Sequence, residues 1–169
     1  MDALSGTQGA LPHFSQLTWR FAGRTSRNAR IIVVNGVRHY VGNGNPGDGS
    51  AGDVNNCLID SLRQCVGLQV DRRLVRRDLL ANFAKACGRA RVDQMSYLDV
   101  DAHWRAILAS IFRHNTSGVH PTCALDDYCV VALREDMEDH GVVLGSFGAR
   151  FRLVVLNYGD RHFDPCLPF

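Results

Sequence analysis

Hydrophobic and polar positions divide the chain into a β-branched opening, a helical middle and a strand-rich end. Two runs, Arg30-Ile31-Ile32-Val33-Val34 and Val37-Arg38-His39-Tyr40-Val41, flank Asn35-Gly36. Both central positions of a type I′ turn need positive φ, which Asn and Gly tolerate, so a β-hairpin is expected there. From Cys57 the apolar residues Leu58, Ile59, Leu62, Cys65 and Val66 recur at helical spacing, with Asn55 or Asn56 as N-cap and Gly67 as the stop. A second helix is expected from an Asp71 cap to Gly88, its apolar side formed by Leu74, Val75, Leu79, Leu80, Phe83 and Cys87. A third runs from Val100 to His114 and buries Trp104, Ile107, Leu108 and Ile111. After Pro121 the period changes to that of strands, over Tyr128–Leu133, Val142–Leu144, Phe151–Leu156 and Arg161–Cys166.

The order of hairpin, helices and sheet predicts an α+β domain, with helices packed on a mainly antiparallel sheet. Residues 30–169 read as one domain. Residues 1–29 carry only scattered apolar positions (Leu11, Phe14, Leu17, Trp19, Phe21) and read as an arm, packed on the domain or binding a partner. The Gly- and Pro-dominated stretch 42–52 can hold neither helix nor strand and leads as a loop into Cys57.

Composition narrows the function classes. A chain of 169 residues, 46% hydrophobic, can bury a core without staples, so the six cysteines are not a disulfide framework. There is no Cys-x-x-Cys pair, and His120, Cys123 and Cys129 lack a spaced partner pair; neither metal nor cofactor is expected. A formal net charge of +2, without aromatic residues interleaved among the basic ones, gives no reason to expect nucleic-acid binding. No apolar run reaches the roughly 20 residues of a membrane span, and no leader pattern opens the chain. A soluble monomer that does not engage membranes is expected. The run Asp71-Arg72-Arg73-Leu74-Val75-Arg76-Arg77-Asp78 places Arg pairs at i and i+4, which reads as a solvated helix face.

Chemistry concentrates in two segments. Asp53-Val54-Asn55-Asn56-Cys57 puts a thiol in the first turn of a helix, where the dipole favours a thiolate. Asn157-Tyr158-Gly159-Asp160-Arg161-His162-Phe163-Asp164 puts an imidazole near the start of a strand. Residues i and i+2 of a strand face the same side, so Asp164 can orient the His162 ring. Cys57, His162 and Asp164 would then be nucleophile, base and orienting group. The backbone amides of Asn56 and Cys57, or the side chain of Asn55 or Asn56, are donors available to an oxyanion, with Asp53 bracing the loop.

These segments resemble the two signature boxes of the ovarian-tumour (OTU) family of deubiquitinating cysteine proteases: Asp-Gly-Asn-Cys followed by an apolar residue and a helix, and His followed by an aromatic residue and then Asp or Asn. The resemblance implies a papain-like fold, the same triad, and hydrolysis of isopeptide bonds after the C-terminal Gly-Gly of ubiquitin, with ubiquitin or polyubiquitin as partner. The chain departs from the first box: the family's Asp stands three before Cys, where this chain has Val54, and Asp53 stands four before. Eighteen Arg against the single Lys85 fit either GC-rich codon usage or a protein that offers few ubiquitination sites. Together with the divergence this suggests a bacterial effector acting in a host cytoplasm, or a viral relative. The acidic run Glu135-Asp136-Met137-Glu138-Asp139 reads first as a solvated turn; as an alternative, Glu135 and Asp136 would hold the Arg-rich ubiquitin tail. Self-processing, ubiquitin binding without catalysis, and deamidase or transglutaminase chemistry remain open on the same residues.

Overall fold

A computed structural model describes residues 17–45, 55–83, 98–119 and 124–169. These form an α+β domain with helices α1 (Cys57–Val66), α2 (Arg72–Phe83) and α3 (Val100–His114). The strands are β1 (Trp19–Arg24), β2 (Arg30–Val34), β3 (Val37–Val41), β4 (Tyr128–Arg134), β5 (Gly141–Leu144), β6 (Phe151–Tyr158) and β7 (His162–Pro168). They make one sheet in the order β1-β2-β3-β7-β6-β4-β5. Only β4 and β6 pair in parallel; the other five neighbouring pairs are antiparallel.

Local chemistry explains the boundaries. The β2–β3 hairpin turns at Asn35 (φ 47°) and Gly36 (φ 82°), as the Asn-Gly pair predicts. Helix α1 ends where Gly67 adopts φ 72°, with its amide donating to the Gln64 carbonyl and the Leu68 amide to that of Arg63, a Schellman close. Helix α3 starts at Asp99, whose side chain accepts from the Asp101 amide. The part of the expected second helix beyond Phe83 lies outside the described residues, as do Cys87, His120, Cys123, Asp53 and Lys85.

Alternation along the central strands builds two cores. Val130, Ala132, Leu153, Val155 and Phe163 pack with Leu58, Ile59, Leu62, Val75, Leu79, Ile107, Leu108 and Ile111 of the helices. Cys129, Val131, Leu133, Val154, Leu156 and Cys166 pack on the other side with Leu17, Trp19, Ile32 and Val34. That second core exists because the sheet curls until its first edge meets the β4–β5 turn. The Trp19 amide donates to Asp139 Oδ1 (2.9 Å), Trp19 Nε1 to the His140 carbonyl (2.8 Å), and the Phe21 amide to Glu138 Oε2 (2.7 Å). Residues 19–24, read from the sequence as part of an arm, are thus a paired strand of the sheet.

The Arg run is only half a solvated face. Arg73 and Arg77 are exposed, whereas Arg72 and Arg76 turn inward to α1. Arg72 Nη1 and Arg63 Nε reach the two oxygens of buried Asp60, at 3.0 and 3.4 Å. Among the described residues no helix is long and apolar enough to cross a membrane, and no group of His, Cys, Asp and Glu is placed to hold a metal ion.

Candidate active site

Cys57 is the first residue of α1, and its thiol packs against the opening of β7. Sγ lies 3.9 Å from the Arg161 carbonyl oxygen, and the Phe163 amide also faces it, so the thiol touches the backbone on both sides of His162. Ser61 Oγ, one turn further along α1, donates to the Phe163 carbonyl at 3.0 Å and ties the helix to the strand. At 8% exposure the thiol is nearly covered, and burial pushes its pKa up. The amides of Phe163, Leu58 and Cys57 pull it back in part, while the charge of Asp164 pushes it further up. The sequence expects a helix N-terminus to favour the thiolate; here desolvation outweighs that effect.

His162 and Asp164 form the pair that their i, i+2 spacing predicts. His162 Nε2 is 2.8 Å from Asp164 Oδ1, and the ring keeps Nδ1 for a second partner. Asp164 is itself fixed by two further donors: the Gly44 amide to Oδ1 at 2.9 Å and the Tyr158 hydroxyl to Oδ2 at 2.9 Å. Tyr158 stands directly opposite His162 across the β6–β7 ladder, with ring centroids 5.1 Å apart, so its phenol reaches the diagonal residue Asp164. Burial, and then the bond to and charge of Asp164, push the phenol's pKa up and keep it a donor.

Gly44 shows how tightly this corner is closed. A Cβ there would sit 1.8 Å from the Phe163 carbonyl oxygen and 2.7 Å from Ser61 Oγ, so any side chain must move the loop or β7. Gly44→Ala is expected to destabilise the protein by about 1–3 kcal/mol. It should also displace the amide from Asp164 and free the His162 ring to reorient. Urea titration checks the first, and the chemical shifts of the His162 ring the second; wild-type shifts would mean that the Gly44 bond does not orient the pair.

The loop before Cys57 is held by a residue that sequence reasoning placed in solvent. Arg76, on α2, is 4% exposed. Its Nε and Nη2 donate to Asn56 Oδ1 at 3.1 and 2.8 Å, and Nη2 donates to the Asn55 carbonyl at 2.7 Å. Asn55 holds φ 58°, and Asn56, 1% exposed, is the N-cap of α1 without a side-chain capping bond. The Asn56 oxygen serves the guanidinium instead. The Asn56 oxygen is therefore part of the scaffold that holds the helix start, where the backbone amides of Asn56 and Cys57 also stand.

The acidic turn is committed within the chain. Glu135 Oε2 lies 3.8 Å from Arg30, Asp136 pairs with Arg134 at 3.0 Å, and Glu138 and Asp139 secure β1. Asp136 also lines a cavity of about 470 Å³ beside the β6–β7 turn, together with Asp101, Arg134, His140, Asn157 and Asp160. The other described cysteines are poor nucleophiles: burial pushes Cys65 up to about 12 and Cys129 up to about 11, and Cys166 well above its ordinary value. All four described cysteines are free. The chain matches no family model, no curated protein and no solved structure.

Proposed function

We propose that the chain is a cysteine hydrolase of the ovarian-tumour type, cutting the (iso)peptide bond after the C-terminal Gly-Gly of ubiquitin or a ubiquitin-like protein. One observation carries this reading: the His162–Asp164 pair opens the strand whose backbone touches the Cys57 thiol at the start of α1. A nucleophile at a helix start and a base on the neighbouring strand, oriented by a carboxylate, are the parts acyl transfer requires. The helix-on-sheet arrangement is compatible with a papain-like fold, and the two sequence boxes supply the substrate class.

In the mechanism this implies, His162 takes the Cys57 proton through Nδ1 while Nε2 stays bonded to Asp164. The thiolate adds to the carbonyl of the terminal glycine. Charge on the carbonyl oxygen is met by the backbone amides of Asn56 and Cys57. The imidazolium returns its proton to the departing amine, and water, activated by the same imidazole, hydrolyses the thioester.

A ubiquitin probe bearing a C-terminal electrophile tests the reading directly. The wild-type chain should form a covalent adduct mapping to Cys57. His162→Ala should abolish turnover, whereas Asp164→Ala should leave a measurable remainder, because an orienting group contributes less than the base it orients. Absence of any adduct with ubiquitin and ubiquitin-like probes would remove the substrate assignment.

A further inference from the structure

The base is braced from a distance by a chain of side chains that begins on β2, the second strand of the sheet. Arg30 opens β2. Its guanidinium lies 4.9 Å over the Phe21 ring of β1 and 5.7 Å from the Tyr158 ring centroid, and Nη2 donates to the Tyr158 hydroxyl. Glu135 Oε2, 3.8 Å from Nη1, steadies it from the β4–β5 turn. The Tyr158 hydroxyl in turn donates a hydrogen bond to Asp164 Oδ2, the oxygen that His162 does not use. Each link is a donor facing an acceptor, so the direction of the chain is fixed from Arg30 to Asp164.

Two features make this more than surface decoration. Asp164 Oδ1 already takes both the His162 and Gly44 donors, so Oδ2 is the atom that decides whether the carboxylate can rotate about its own axis. A carboxylate held at one oxygen swings; one held at both presents a fixed lone pair to the imidazole. The cation on Tyr158 also makes the phenol a stronger donor, since hydrogen bonds polarise one another along a chain.

We infer that Tyr158 and Arg30 are positioning residues for the Cys57–His162–Asp164 site, acting through Asp164 Oδ2, and that strands β1 and β2 serve the reaction by holding Arg30. The inference rests on the reading of those three residues as a working triad. It gives the hairpin and the strand before it a task in catalysis, although neither contains a residue that touches the thiol.

The test uses the full chain as wild type, Tyr158→Phe, Arg30→Lys and Arg30→Gln, with His162→Ala as the floor. One readout needs no ubiquitin: the rate of Cys57 alkylation by iodoacetamide, followed by mass spectrometry. The other is kcat and KM on a fluorogenic ubiquitin C-terminal amide. Tyr158→Phe keeps the ring and removes only the donor; it should lower kcat about tenfold, the worth of part of one hydrogen bond to a charged acceptor. KM should stay within about twofold, because ground-state binding is untouched. The alkylation rate should fall in step, and Arg30→Lys, which keeps a charged donor, should retain more activity than Arg30→Gln. Wild-type alkylation and kcat in Tyr158→Phe would overturn the inference. So would a loss that appears only as a lower melting temperature and equally in both Arg30 variants. If the wild-type chain ignores ubiquitin yet its alkylation rate still depends on His162 and Tyr158, the substrate reading fails and the positioning role stands.

Discussion

On the proposed reading, Cys57→Ala is expected to abolish hydrolysis while leaving the fold in place. The change removes the covalent route entirely, and in a hydrolase whose groups act as a unit the loss is on the order of 10^6 in kcat. No other described thiol can substitute, because burial holds Cys65 and Cys129 far above neutral pH, at about 12 and 11. The structural cost is small. Sγ makes a long contact of 3.9 Å to the Arg161 carbonyl oxygen and also faces the Phe163 amide, at the rim of the helix-side core, and truncating it should cost about 1 kcal/mol. Urea titration and single-turnover cleavage of a ubiquitin C-terminal conjugate measure the two quantities on the same preparation. Cleavage of that conjugate at near wild-type rate would defeat the assignment of the nucleophile. A variant that is inactive because it is unfolded would show itself in the titration, and Cys57→Ser then gives the same comparison with the volume nearly conserved.

Elements that depend on neighbours in sequence were legible, and those that depend on distant partners were not. The Asn35-Gly36 turn, the span of α3 from Val100 to His114 and the start of α1 at Cys57 follow from local propensity and period alone. The His162–Asp164 pair follows from the two-residue repeat of a strand. Strand β1 was missed because only Trp19 among its six residues is buried, so no alternation marks it. It is a strand because its backbone pairs with β2 on one side, while on the other Asp139 and Glu138, more than 110 positions away, accept the Trp19 and Phe21 amides. Gly44 looked like one glycine among several in a loop, and its task appears only once β7 is laid beside it. The two inward arginines share their spacing with the two outward ones. A charge pattern separates them only when their acceptors on and before α1 are known: the Asp60 carboxylate for Arg72, and the Asn55 carbonyl and Asn56 amide oxygen for Arg76.

Arg76→Ala should be the most damaging substitution away from the triad. The guanidinium is buried, and its bonds include three to two acceptors, Asn56 Oδ1 and the Asn55 carbonyl. Truncation leaves both oxygens without those donors beneath the helix start, where each unsatisfied group costs about 1–3 kcal/mol; a total of about 3 kcal/mol or more is expected. The catalytic effect is separate from the loss of stability. Asn55 stands at φ 58°, a left-handed conformation that Asn tolerates, and Arg76 holds it there through the Asn55 carbonyl. Released from Arg76, the loop can relax and turn the Asn56 and Cys57 amides away from the oxygen they would stabilise. Loss of one such donor lowers kcat by about 10^2, with a smaller change in KM. Denaturant titration gives the first number, and kcat measured well below the melting temperature, on folded protein, gives the second. Arg76→Lys supplies a point charge without the planar fork, so it should recover part of the stability and little of the rate. Full activity in Arg76→Ala would show that the amides at the start of α1 hold their direction without the clamp, and would move the search for the oxyanion donors elsewhere in the site.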